Sequence, residues 1–137
     1  MLVVDASVAV KWYIPEPGAT AAAALRGQGD DLVAPDLIVA ELGNVLWKKV
    51  QRGELMADEA REIAGAFSGA CPLALRPSQP YLPGAVDLAL RFRRSVYDAL
   101  YLAVAIAEAG QYVTADERLV NALVTTQLAA VVRRLGT

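Results

Sequence analysis

The feature that most constrains this chain is a regular alternation of short strand-like runs with longer helix-patterned stretches. The runs are Leu2-Val3-Val4, Leu32-Val33-Ala34, Leu73-Ala74-Leu75, Gln111 to Thr114 and Leu128 to Val132. Between the first two, Ser7 to Tyr13 predicts a short helix stopped by Pro15 and Pro17, and Ala19 to Arg26 an alanine-rich one closed at Gly27 and Gly29. Asp36 is placed to cap a long helix reaching Arg52, with Gly53 as its stop, and Asp58 to cap another reaching Gly69. After a turn punctuated by Pro77, Pro80 and Pro83, helices are expected from Gly84 to Arg93, Val96 to Ala109 and Asp116 to Val124. Strands separated by helices pair in parallel, because each crossover returns the chain to the same end of the sheet. The expected fold is therefore α/β, a three-layer α/β/α sandwich with a mainly parallel central sheet. No repeat or linker interrupts the pattern, so residues 1–137 form a single expected domain.

Composition narrows the chemistry. The chain has no histidine, which removes Ser-His-Asp and Cys-His catalysis, ribonuclease mechanisms built on paired histidines, and imidazole zinc sites. The lone cysteine, Cys71, can form no internal disulfide and suits a reducing cytoplasm. No apolar run approaches the roughly 20 residues needed to span a bilayer, and the N-terminus has no basic flank of a signal peptide. A cytoplasmic protein without a membrane partner is expected. Hydrophobic residues make up 55% and the mean hydropathy is +0.35, which points to apolar surface covered by a partner. The net charge of −2 gives no long-range attraction for nucleic acid, so a nucleic-acid enzyme here must rely on local cations and metal charge.

Four acids stand out. Asp5 ends the first strand and Asp116 lies just past the fourth, which brings both to the carboxyl edge of a parallel sheet, where active crevices form. Each also has a structural explanation: Asp5 as a helix cap, Asp98 in a Ser95-x-x-Asp98 capping box, and Asp116 in the first helical turn beside a Thr114/Glu117 box. Glu41 is harder to account for. It sits mid-helix among apolar residues, on a face with Leu37, Asn44, Val45 and Lys48, with Lys48 expected to turn to solvent. A carboxylate so placed needs a cation. If the four converge, their repulsion calls for a hard divalent ion such as Mg²⁺, which takes carboxylates, waters and phosphate oxygens.

Val3-Val4-Asp5-Ala6-Ser7, Glu41 with Asn44, Val96-Tyr97-Asp98-Ala99-Leu100-Tyr101 and Val113-Thr114-Ala115-Asp116-Glu117-Arg118-Leu119 together resemble PIN-domain proteins, most closely VapC-like toxins of bacterial toxin–antitoxin pairs. The resemblance spans nearly the whole chain in order. It implies a PIN fold, dependence on Mg²⁺ or Mn²⁺, endoribonuclease activity, a homodimer, and inhibition by a cognate antitoxin. By position, Asp5, Glu41, Asp98 and Asp116 match the acidic quartet that holds metal. Three of these, Asp5, Asp98 and Asp116, would hold the ion while Glu41 orients or deprotonates the attacking water. Ser7, Thr114 and Asn44 match polar residues beside the quartet. Some relatives carry a further acid shortly after the fourth; here Glu117 follows directly and suits a capping role. Lys11, Lys48, Arg91, Arg93 and Arg94 are candidates for phosphate contact, with Lys11, Arg93 and Arg94 foremost. Trp12, Trp47, Tyr97 and Tyr101 could stack on bases, although core or dimer packing suits them too. Helices near Trp12 and around Leu46 and Trp47 could line an antitoxin groove. The rivals are a phosphoacceptor domain, for which Asp5-Ala6-Ser7 lacks the second Asp of aspartate-nucleophile phosphatases, and a catalytically silent PIN-like scaffold that binds RNA or protein.

Overall fold

The computed structural model describes all 137 residues, Met1–Thr137. Five strands, β1 (Leu2–Val4), β2 (Leu32–Pro35), β3 (Ala74–Arg76), β4 (Gln111–Thr114) and β5 (Val132–Arg134), form one sheet in the order β3-β2-β1-β4-β5. Every pairing is parallel. All three residues of β1 are buried, and since successive side chains point to opposite faces, both faces of the sheet must be covered. Helices supply that cover: α1 (Ala6–Ala9), α2 (Ala19–Arg26), α3 (Leu37–Gln51), α4 (Ala57–Gly69), α5 (Leu82–Phe92), α6 (Val96–Ala107) and α7 (Glu117–Leu123). The most apolar of them, α6, packs against β1, β2 and β4, and its Leu102, Val104 and Ala105 are wholly buried. The α/β sandwich expected from the alternation is the fold observed.

The strand order reverses between β1 and β4, so the connections leave these neighbours in opposite directions and open a crevice at their carboxyl ends. Their register is tied from the other end. Gly110, just before β4, passes so close to Met1 that an added Cβ would lie 2.9 Å from the Met1 carbonyl oxygen. Leu2 then pairs with Gln111 and Val4 with Val113, which brings Asp5 and the residues after Thr114 to the same level.

Several local expectations are corrected. Asp36 does not cap α3 with its side chain; its Oδ1 instead accepts from the Ser78 amide at 3.1 Å and from the Ser78 hydroxyl, tying the start of α3 to the loop after β3. The helix expected to start at Asp58 is capped at Met56, where Glu59 reaches back to the Met56 amide, and Asp58 pairs with Arg61 in the exposed first turn. Asp116, not Thr114, caps α7 by accepting from the Arg118 and Leu119 amides, and Glu117 turns away to pair with Arg134. The last strand begins at Val132. Residues from Leu128 form a turn held by Thr126, whose Oγ1 accepts from the Leu128 amide while Leu128 plugs the core.

Candidate functional site

The crevice at the β1/β4 edge is a cleft of about 280 Å³, and Asp5, Glu41, Asp98 and Asp116 all line it with Ser7 and Asn44. The chain folds them together for separable reasons. Asp5 follows the last residue of β1, and its backbone turns there to start α1, with Oδ1 accepting from the Val8 amide at 3.3 Å. Glu41 and Asn44 are three residues apart on α3 and so share a face. Asp98 lies in the first turn of α6, where its amide donates to Ser95 Oγ at 3.1 Å. Asp116 caps α7 directly after β4.

Asp5 is the most deeply set, 8% exposed, and its oxygens are fully engaged. Oδ1 takes the Ser7 hydroxyl at 2.6 Å; Oδ2 takes the Tyr112 and Thr114 hydroxyls, each at 2.6 Å. The two small hydroxyls act twice. Having donated to Asp5, Ser7 Oγ accepts from the Ala115 amide at 3.0 Å and Thr114 Oγ1 from the Asp116 amide at 3.1 Å. They bolt the β4–α7 loop to Asp5, so the orientation of Asp116 depends on a carboxylate more than a hundred residues away. Ser7 is thus a bridge across the crevice rather than a local helix cap.

Burial pushes the Asp5 carboxyl above its ordinary range, although the bonds from Ser7, Thr114, Tyr112 and Val8 oppose the rise. Glu41 is also raised, by burial first and then by the charges of Asp5 and Asp98, against a bond from the Tyr101 hydroxyl at 2.5 Å. Asp98 is raised by burial, then by Asp116 and Asp5, with Arg94 partly offsetting them. The charges of Asp5, Asp98 and Asp116 thus bear on one another and on Glu41 across the cleft, a repulsion that a bound cation would relieve.

The donor set fits a hard ion. Every donor is oxygen, and Glu41 Oε2 and Asp116 Oδ2 carry no side-chain or backbone hydrogen bond. No three carboxylates stand close enough to form a closed ligand cage. A divalent ion in such an open cleft would keep waters and take phosphate oxygens as further ligands.

Two tyrosines hold site acids, a role the sequence does not assign to them. Tyr101 and Tyr112 stack with centroids 5.3 Å apart, and their hydroxyls hold Glu41 and Asp5 respectively. The signal existed: Tyr101 lies three residues past Asp98 on a helix, and Tyr112 two before Thr114 on a strand, which gives each the same face as a recognised site residue. Lys48 is exposed, as expected, and also lines the cleft on the turn after Asn44. The remaining cations lie at different distances from the acids. Lys11 pairs with Glu16 in an adjoining groove, and Arg94 is close enough to influence Asp98. Arg93 adopts a left-handed conformation, φ 54°, as the stop of α5, and Arg91 hydrogen-bonds Gln127. Of the residues proposed for an antitoxin groove, Leu46 is buried and Trp12 donates its indole N–H to the Ala22 carbonyl at 2.8 Å; only Trp47 is open, at 59% exposure.

Comparisons with known proteins bear on the fold and the family. The family model described as the PIN domain matches residues 2–122. The chain is 37% identical to Ribonuclease VapC3 of Pyrobaculum aerophilum over 131 residues, 90% of this chain and 98% of that protein. Ribonuclease VapC1 of Mycobacterium tuberculosis is 34% identical, covering 88% of this chain and 89% of its own length. Among solved structures, PAE2754 of Pyrobaculum aerophilum superposes with a TM-score of 0.69 at 23% identity, over 98% of this chain and 90% of that one. Mycobacterium tuberculosis VapC20, described as a sarcin-ricin loop cleaving toxin, superposes at 0.64 with 16% identity, over 84% and 88%. With sequence relatives, fold and family model in agreement across nearly its whole length, the chain belongs to the PIN domain family.

Proposed function

We propose that this chain is an Mg²⁺- or Mn²⁺-dependent endoribonuclease, the toxin of a toxin–antitoxin pair, held in check by a cognate antitoxin in the cytoplasm. The observation that carries this reading is the meeting of Asp5, Glu41, Asp98 and Asp116, from four distant segments, in one cleft at the sheet's switch point. The names of the two ribonuclease relatives support RNA as substrate, and the toxin description of the VapC20 structure supports the cellular role.

Asp98 and Asp116 would hold the ion, and Asp5 would join through water or when one hydroxyl rotates away, which leaves the free Oε2 of Glu41 for the attacking water. A bound divalent ion supplies positive charge that neutralises the cluster and polarises the scissile phosphate. The rest falls to the chain. Glu41, with its raised pKa and one oxygen fixed by Tyr101, is suited to orient the attacking water and take its proton. The Ser7, Thr114 and Tyr112 hydroxyls keep Asp5 and the Asp116 loop in place. Asn44 offers an amide at the rim for a phosphate or ribose oxygen. Lys11, Arg93 and Arg94 are assigned to flanking phosphates, Arg94 next to Asp98.

Exposed apolar side chains supply partner surface. Leu82, Val86 and Leu90 repeat every four residues along α5 and are 47%, 40% and 76% exposed, a stripe suited to a second copy of the chain. Val39 and Trp47, eight residues apart on α3, offer a separate apolar strip for the antitoxin. The test of activity is incubation with total RNA and Mn²⁺ or Mg²⁺ beside a chelator control, followed by analysis of the product ends. Metal-dependent products with 5′-phosphate and 3′-hydroxyl ends are expected. Products ending in 2′,3′-cyclic phosphate would contradict attack by water, and metal binding without cleavage would leave a scaffold that only binds.

A further inference from the structure

Beside the acid cleft lies a larger groove of about 670 Å³, and the two share Ser7, Val45, Lys48 and Asp116 along a common edge. Its walls carry Lys11, Lys48, Lys49 and Arg52, four of the 13 lysines and arginines in a chain of net charge −2. The last turn of α3 favours cations at Lys48 and Lys49, but Lys11 comes from a short 3-10 turn at Val10–Trp12 and needs another reason. Glu16 supplies it. One of its oxygens takes Lys11 Nζ at 3.0 Å and the other takes Lys49 Nζ at 2.7 Å, which fixes two lysines in the wall with a single carboxylate. All three side chains are no more than 20% exposed, so the arrangement is held rather than fluctuating in solvent. Lys48 and Arg52 are exposed and form no ion pair, and Lys48 stands on the edge between the two clefts.

We propose that this groove is the track for the backbone phosphates of a single-stranded RNA, with the unpaired Lys48 and Arg52 as direct contacts and the Lys11–Glu16–Lys49 ion pairs, joined by Glu54, as a neutral, rigid wall that shapes it. The proposal rests on the ribonuclease reading: a strand with its scissile phosphate in the acid cleft passes its next phosphates across the shared edge into this groove. An acidic protein segment is the other polyanion to consider. Only Val10, Val45 and Ala115 of the lining are apolar, which gives a peptide little to anchor, whereas phosphates draw their affinity from cations and counterion release.

The test is fluorescence anisotropy of a labelled, mixed-sequence 20-nucleotide single-stranded RNA, titrated over a salt series in chelator so that nothing is cut. Wild type is compared with a Lys48→Gln/Arg52→Gln double variant and with Arg61→Gln, which lies outside the groove. Thermal unfolding verifies that the variants fold. Losing two phosphate contacts lowers the slope of log Kd on log salt by about 1.4, at roughly 0.7 per phosphate on a single strand. Arg61→Gln leaves the slope unchanged. An unchanged slope in the double variant overturns the proposal. So does absence of RNA binding by wild type, or a poly-glutamate peptide of equal charge binding as tightly as the RNA. Cleavage assays with metal run in parallel separate the two claims. Cleavage with an unchanged slope removes the groove and leaves the ribonuclease; the expected slope loss without cleavage leaves the groove and removes the ribonuclease.

Discussion

The Thr114 hydroxyl is the smallest group on which the site depends, and replacing it isolates its contribution. Thr114 is wholly buried; its Oγ1 donates to Asp5 Oδ2 at 2.6 Å and accepts from the Asp116 amide at 3.1 Å. Thr114→Val keeps the shape and puts a methyl group where the hydroxyl was. A hydrogen bond to a charged acceptor contributes about 2 kcal/mol, most of it felt here because the carboxylate left behind is buried. At about 2.1 cal/mol/K of unfolding entropy per residue, that lowers the melting temperature of a chain of this size by roughly 7 °C. Thr114→Ser keeps the hydroxyl and loses only a buried methyl, about 0.8 kcal/mol, so its loss is less than half as large. The assay is thermal unfolding by circular dichroism at pH 7 in chelator for wild type and both variants. If Val proves as stable as Ser, the hydroxyl is not what holds the buried carboxylate and the bridging role assigned to it is wrong.

Other expectations follow from the same geometry. Glu16 is drawn toward a higher pKa by burial, but the bonds from Lys49 and Lys11 outweigh this and its pKa is lowered below the ordinary 4.5, so its stabilisation exists above that pH and is lost as the pH falls through the folded-state value. Glu16→Gln is therefore expected to unfold at lower temperature at pH 7, with the gap to wild type closing in a pH series taken below 4.5; a constant gap would contradict the ion-pair account. Leu90→Asp on the exposed stripe of α5 is expected to shift sedimentation toward monomer with an unfolding temperature near that of the wild-type monomer, and an unchanged dimer would remove the stripe as the interface. Arg93→Gly relieves a left-handed conformation that costs a side-chain-bearing residue about 1 kcal/mol and is expected to raise the melting temperature. A fall would show that the Arg93 side chain is held by contacts that matter more than the strain.

The larger outlines of the molecule were legible because they follow from periodicity. Buried runs such as Leu2-Val3-Val4 and the apolar helix Val96–Ala107 can satisfy themselves only inside a parallel sheet or against one. The acids at Asp5 and Asp116 were legible from topology, since one directly follows a strand and the other lies two residues past one. Glu41 was legible because a charge among core residues demands an explanation. What escaped depends on pairs distant in sequence. Asp36 looked like a helix cap because capping is a local pattern, yet Ser78 competes for its carboxylate from 42 residues away. The Thr114/Glu117 box failed in the same way, because Asp5 and Arg134 attract the side chains that the box required. The sequence offers Tyr101 for base stacking or packing and Tyr112 only as part of a strand; their rings are core, and only the partner of each hydroxyl, which no spacing rule specifies, brings them into the site.

If the four acids form a metal centre, Asp98→Asn removes one of its ligands. Asp98 is repelled by Asp116 and Asp5, and its amide bond to Ser95 survives the substitution, so the metal-free variant is expected to melt no lower than wild type. In wild type, Mn²⁺ at a hundred times its dissociation constant adds about 2.7 kcal/mol of stability. In Asp98→Asn that stabilisation and the cleavage of RNA should both disappear. A variant that melts normally, still gains the full stabilisation from Mn²⁺ and still cuts RNA would contradict the assignment of this cleft as the active centre.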